Sequence, residues 1–173
     1  MSRSYSAALP IAHVVLRILI VLNWLIGAAI LALLVVMPNE RWIMSAFQIA
    51  PSADAARLVM GLRAIAIVGL VTIPINHFIL TRLLAMVGTV RAGDPFVAAN
   101  ASRLQAIAWA LVALQLLSLV VAGIAQSVST AAHPVNMDAG FSINGWLAVL
   151  LTFVLARVFA EGARMRDELE GTV

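Results

Sequence analysis

Apolar residues fill four long stretches of this chain, and they neither alternate with polar residues as in a strand nor keep to one helical face. Residues 18–37, 64–81, 104–137 and 139–156 contain no Asp, Glu, Lys or Arg. A helix that is apolar on all sides is buried in a large core or in a bilayer, and hydrocarbon about 30 Å thick is crossed by roughly 20 helical residues. The pattern therefore predicts an all-α fold, a four-transmembrane-helix bundle in a single domain over residues 1–173. The spans fall at 18–37, 62–82, 107–125 and 142–159, with a charged tail over 160–173.

Punctuation between these stretches refines the boundaries. Pro38 stops the first helix, because its ring cannot continue one and restricts the residue before it. Trp42 and Phe47 in the following loop suit the water interface, and Ser52 or Asp54 could cap the second helix. That helix is expected over about Ala55–Val90, with a kink at Pro74. The sharpest break is Arg91-Ala92-Gly93-Asp94-Pro95-Phe96. Gly93 ends one helix there, Asp94 is placed to cap the next, and Pro95 suits a first helical position. The third helix is thus expected from Pro95 to near Ala125. A polar loop with His133 and Asp138 follows, then a fourth helix from about Ser142 through Phe159, carried on by a charged extension to Glu170. Helices two, three and four are expected to extend beyond the bilayer.

Composition supports a membrane location. Hydrophobic residues make up 63% of the chain and charged ones 11%, whereas soluble domains carry about 25% charged residues. The basic residues are all Arg, and they flank the apolar stretches instead of forming a stripe with interleaved aromatics, so no direct nucleic-acid binding is expected. Arg3, Arg17, Arg82, Arg91, Arg103, Arg157, Arg164 and Arg166 fall on one side of the spans. Arg41, Arg57 and Arg63 fall on the other. Positive charge collects on the cytoplasmic side, which places both termini and the Gly93–Phe96 loop in the cytoplasm. Arg without Lys, together with abundant Ala, suggests a GC-rich bacterial genome and hence a bacterial inner membrane. The first apolar run is longer than a signal-peptide core and is read as an uncleaved helix. With no Cys, disulfides and thiolate chemistry are excluded.

Two segments carry a resemblance: Gly93-Asp94-Pro95-Phe96 with Asn100, Arg103 and Leu104 following, and Phe159-Ala160-Glu161-Gly162-Ala163-Arg164 through Gly171-Thr172-Val173. They resemble the bacterial family "domain of unknown function 2975", the YoaS-like integral membrane proteins. The resemblance covers nearly the whole chain. It implies four membrane helices, a membrane location and, through neighbouring genes in relatives, a small helix-turn-helix regulator as partner. It brings no activity and no catalytic residue.

The remaining polar positions form two candidate constellations. Asn23, His77 and Gln115 lie inside apolar helices, at roughly 7–12 Å below the inner interface at 1.5 Å per residue. They read either as interhelical hydrogen-bonding groups, worth on the order of 1 kcal/mol each, or as an intramembrane polar cluster for a channel, transporter or sensor. The second constellation is a cytoplasmic rim of Gly93, Asp94, Pro95, Phe96, Asn100, Arg103, Arg157, Glu161 and Arg164. Arg157 and Glu161 stand four apart on one helical face there, as do Arg164 and Glu168. Its plainer reading is snorkelling arginines and a solvated tail; its sharper one is a docking surface for a cytoplasmic protein. His13, His77 and His133 are not placed on facing helices at one depth, as bis-His haem needs. No His-Glu-x-x-His, Gly-x-Ser-x-Gly or transmembrane carboxylate is present. No enzyme activity, metal or cofactor is therefore expected. The expected surroundings are the lipid bilayer, with a homo-oligomer compatible with the apolar faces.

Overall fold

The computed structural model describes residues 4–36, 53–129 and 140–170. These residues form four helices: α1 over Ser4–Val36, α2 over Ala53–Arg91, α3 over Ala98–Val128 and α4 over Ile143–Glu170. All four contain stretches long and apolar enough to cross a membrane, namely Ala8–Val35, Ala56–Arg91, Ala98–Val128 and Ile143–Leu169. At most 22% of the apolar window of any of them is buried against the rest of the chain. Trp24, Leu25, Trp109 and Leu150 stand exposed among many other large apolar side chains. Water would not tolerate so much contiguous apolar surface. Hydrocarbon does, and helices satisfy their own backbone polar groups there. The chain is an all-α, multi-pass membrane protein.

The helices differ in places from the sequence expectation. α1 begins at Ser4, well before Ile18, and contains Pro10 near its start. The Ala-rich stretch before Ile18 has no helix stop of its own, and Pro10, the seventh residue of α1, lies beyond the first turn and removes one backbone hydrogen bond without ending the helix. α2 keeps Pro74 inside one helix, which is compatible with the expected kink, and because it begins at Ala53, Asp54 lies inside it and not at its cap. α3 begins at Ala98, not Pro95, for a reason that belongs to the turn described below. Trp42, Phe47, Ser52, His133 and Asp138 lie outside the described residues.

The described residues fall into two compact units. The first draws on Met1–Asn23, Ile75–Ala113 and Ile143–Val173, the second on Trp24–Pro74 and Leu114–Ser142. In the first unit, Ala101, Leu104, Ile107 and Ala108 bury one face of α3, and Val149, Ala156 and Ala163 bury a stripe of α4 that recurs every seventh residue. Small residues predominate because helices in lipid gain little from the hydrophobic effect between them and associate through close contact. The second unit follows the same rule with glycine. A Cβ on Gly61 would lie 2.5 Å from Val128 Cγ1, and one on Gly27 would lie 3.1 Å from Ile73 Cγ2. In the same unit Gly140 donates its amide to Ser118 Oγ at 3.2 Å, and the Gln115 amide reaches the Ser142 carbonyl at 3.4 Å. The chain leading into α4 is thereby tied to α3.

Candidate functional site

The turn between α2 and α3 is built from the inside by backbone hydrogen bonds. The Asp94 amide donates to the Thr89 carbonyl at 3.0 Å, and the Gly93 amide to the Val90 carbonyl at 3.1 Å. This crossed pair closes a helix only when the residue after the cap takes positive φ. Gly93 does so at +84°, a conformation that glycine adopts without the steric penalty of a Cβ.

Asn100 holds the rest of the turn. It is fully buried, and its Nδ2 donates both to Thr89 Oγ1 at 2.7 Å and to the Pro95 carbonyl at 2.9 Å. Its Oδ1 accepts from Arg103 Nη1 at 2.8 Å. One amide thus joins the end of α2, the middle of the turn and the first turns of α3. Its backbone amide donates to the Val97 carbonyl at 2.8 Å. Residues 94–97 are drawn out as irregular chain, and α3 begins after them.

The outer side of the turn is fastened to α4. The Phe96 ring meets Phe159 with centroids 5.3 Å apart and planes inclined at 39°, and a Cβ on Gly162 would lie 2.8 Å from Phe96 Cδ1. The spacing of Phe159 and Gly162 is now intelligible: the phenylalanine supplies a ring face and the glycine the clearance beside it. Asp94 pairs with Arg166. This corrects the expectation that Asp94 caps α3, since its carboxylate reaches across to α4.

A model of the family described as "Protein of unknown function (DUF2975)" matches residues 36–173, a range that holds the turn and all of its anchors. The chain belongs to the DUF2975 family. Among curated proteins and among solved structures nothing matches it.

In this DUF2975 protein, then, the expected rim residues divide into two groups. Gly93, Asp94, Pro95, Phe96, Asn100 and Arg103 come together as one locked turn. Glu161 does not pair with Arg157, as the four-residue spacing suggested, but accepts from Arg164 Nη2 at 2.9 Å; Arg164 also faces Glu168 at 3.5 Å. Both pairs are exposed, and such pairs contribute about 0–1 kcal/mol. Arg157 faces a groove against α3. Thr89 and Arg166 were absent from the expected rim. No short-range pattern links Thr89 to Asn100 or Arg166 to Asp94, which meet only because the turn folds back on both helices.

The intramembrane candidates are distributed differently. Asn23 is buried and His77 half-buried, both belong to the first unit, and both have interaction partners. Gln115 belongs to the second unit, where its amide serves the Ser142 carbonyl. Among the described residues no group of three or more His, Cys, Asp or Glu is placed to hold a metal ion.

Proposed function

We propose that this protein is a membrane-anchored interaction protein, and that the locked turn at residues 92–97 with the end of α4 forms a docking rim for a cytoplasmic partner. The observation behind this reading is the convergence of the positive-φ Gly93, the buried Asn100, the Phe96–Phe159 contact and the Asp94–Arg166 pair on one short segment. A connection that merely reverses the chain needs no such bracing, whereas a recognition surface gains affinity from being held rigid before binding. Beside it α4 presents Met165 and Leu169, both exposed, among Arg164, Asp167 and Glu168. Apolar anchors rimmed by charge are the usual composition of a protein-binding patch. The small helix-turn-helix regulator implied by the family resemblance is the proposed partner. A channel, transporter or sensor built on Asn23, His77 and Gln115 has less support, because Gln115 is committed to the backbone at Ser142.

The proposal includes an orientation: both termini and the turn are cytoplasmic, in a bacterial inner membrane. The unequal distribution of Arg supports this. The length of α2, 39 residues, supports an extension beyond the bilayer, since it amounts to about 58 Å at 1.5 Å per residue against hydrocarbon about 30 Å thick. Reporter fusions at Gly93 and Val173 are expected to report cytoplasm, and a fusion at His133 the opposite side. A cytoplasmic His133 reporter would overturn the orientation.

Docking is tested with the double substitution Met165→Glu and Leu169→Glu, which leaves Gly162, Arg166 and the turn intact. Pull-down from native membranes is expected to recover at least about tenfold less of the regulator, the scale on which loss of buried anchors acts. Insertion and thermal melting are expected to stay unchanged. Equal recovery by both forms would reject the rim as the docking surface.

A further inference from the structure

In the first unit, α3 and α4 flank an open groove of about 410 Å³, in which Ser102, Gln105 and Arg157 are exposed. Ala101, Ser102 and Gln105 line it from α3, and Phe153, Ala156 and Arg157 from α4. Small side chains hold it open. The Arg157 guanidinium and the Gln105 amide have no hydrogen-bond or ion-pair partner among the described residues, and Glu161, the nearest acid along α4, is engaged with Arg164. Ser102 Oγ donates to the Ala99 carbonyl at 2.9 Å and keeps its lone pairs free to accept. Apolar surface continues from the groove: Phe153 meets Trp109 edge-on at 5.4 Å, and Trp109, Leu150 and Val154 are exposed.

An unpaired guanidinium bordering apolar surface in a membrane protein calls for an anion, and its planar fork of donors matches a phosphate. We propose that this groove binds one phospholipid with an anionic headgroup. Arg157 takes the phosphodiester, Gln105 and Ser102 face the glycerol and headgroup hydroxyls, and the acyl chains run over Phe153 and Trp109. The lining contains no Asp or Glu, so nothing in it rewards the ammonium of a zwitterionic lipid. The volume lies within the roughly 300–1,000 Å³ of ordinary ligand sites, room for a phosphoglycerol headgroup but not for acyl chains, which the exposed apolar surface accommodates. The proposal is independent of docking, since it requires only that these helices lie in a membrane.

Native mass spectrometry of the full chain in a neutral detergent tests it, with phosphatidylglycerol, phosphatidylcholine and inorganic phosphate titrated separately and phosphate also added as competitor. One phosphatidylglycerol per chain is expected to remain bound, with phosphatidylcholine at least about tenfold weaker and inorganic phosphate unable to displace the lipid. Arg157→Gln is expected to lower phosphatidylglycerol occupancy about tenfold, as loss of a charge-assisted phosphate contact does. Arg91→Gln, the same charge change on an exposed arginine outside the groove, is expected to leave it unaltered. Ala160→Leu, which crowds the groove without touching charge, is expected to lower it as well, and decides the matter if Arg157→Gln does not fold. Equal retention of both lipids, equal loss from Arg157→Gln and Arg91→Gln, unchanged binding by Ala160→Leu, or displacement by inorganic phosphate would each overturn the proposal.

Discussion

Asn100→Leu is expected to destabilise the protein by on the order of 2–4 kcal/mol and to open the turn at residues 92–97 to protease. The side chain makes three hydrogen bonds, to Thr89 Oγ1, the Pro95 carbonyl and Arg103 Nη1, while wholly shielded from solvent. A typical bond of this kind contributes about 0.5–1.5 kcal/mol net, one to a charged group about 1.5–3, and a buried group left without its partner costs more than the bond was worth. Leucine matches asparagine in branching and in number of non-hydrogen atoms but offers no donor or acceptor, and its two methyl groups are bulkier than the planar amide, so some overpacking adds to the lost hydrogen bonds. Asn100→Asp separates the contributions. It keeps an acceptor for Arg103 but loses the amide hydrogens directed at Thr89 and Pro95, and it sets a carboxylate against the Pro95 carbonyl. Asp is therefore expected to recover only a minor part of the loss. Thermal melting in detergent and limited proteolysis at the turn measure both effects. A melting temperature unchanged by Asn100→Leu would show that the turn is held by its attachments to α4.

Gly61→Ala is expected to destabilise by about 1–3 kcal/mol, the usual range for overpacking a close contact, although alanine is the better helix former by about 1 kcal/mol. A Cβ at this position would lie 2.5 Å and 2.8 Å from the two Cγ atoms of Val128 and 3.0 Å from its Cβ. A β-branched side chain in a helix has essentially one rotamer and cannot turn away, so the contact itself must part. At Gly88, where nothing lies within 4 Å, the same substitution is expected to be neutral or to stabilise by up to about 1 kcal/mol. The opposite signs of two identical changes isolate the contact from helix propensity. Adding Val128→Ala to Gly61→Ala is expected to restore most of the stability, because only the 3.0 Å contact remains and a shift of a few tenths of an ångström relieves it. If Gly61→Ala and Gly88→Ala behave alike in detergent melting, α2 and α3 do not approach as closely as described.

Much of this protein is legible in the sequence because its solvent is a bilayer. A membrane helix must be apolar over a fixed length and must satisfy its own backbone. Each of the four charge-free stretches therefore overlaps one of the four helices, without any knowledge of its neighbours. Gly93 is legible too, since a helix that stops at glycine has a local reason to stop. What came from the packing of the helices is the use to which polar residues are put. Asp94 followed by Pro95 has the local form of a helix start, yet Asp94 faces Arg166 and α3 waits until Ala98, because Asn100 pulls the intervening chain onto Thr89. Arg157 and Glu161 have the spacing of a pair, yet Glu161 accepts from Arg164 and Arg157 is left to the groove. Backbone and solvent requirements act over a few residues and leave a pattern in the chain. A hydrogen bond or ion pair depends instead on which groups the fold brings within about 3 Å, and sequence spacing cannot specify that across helices.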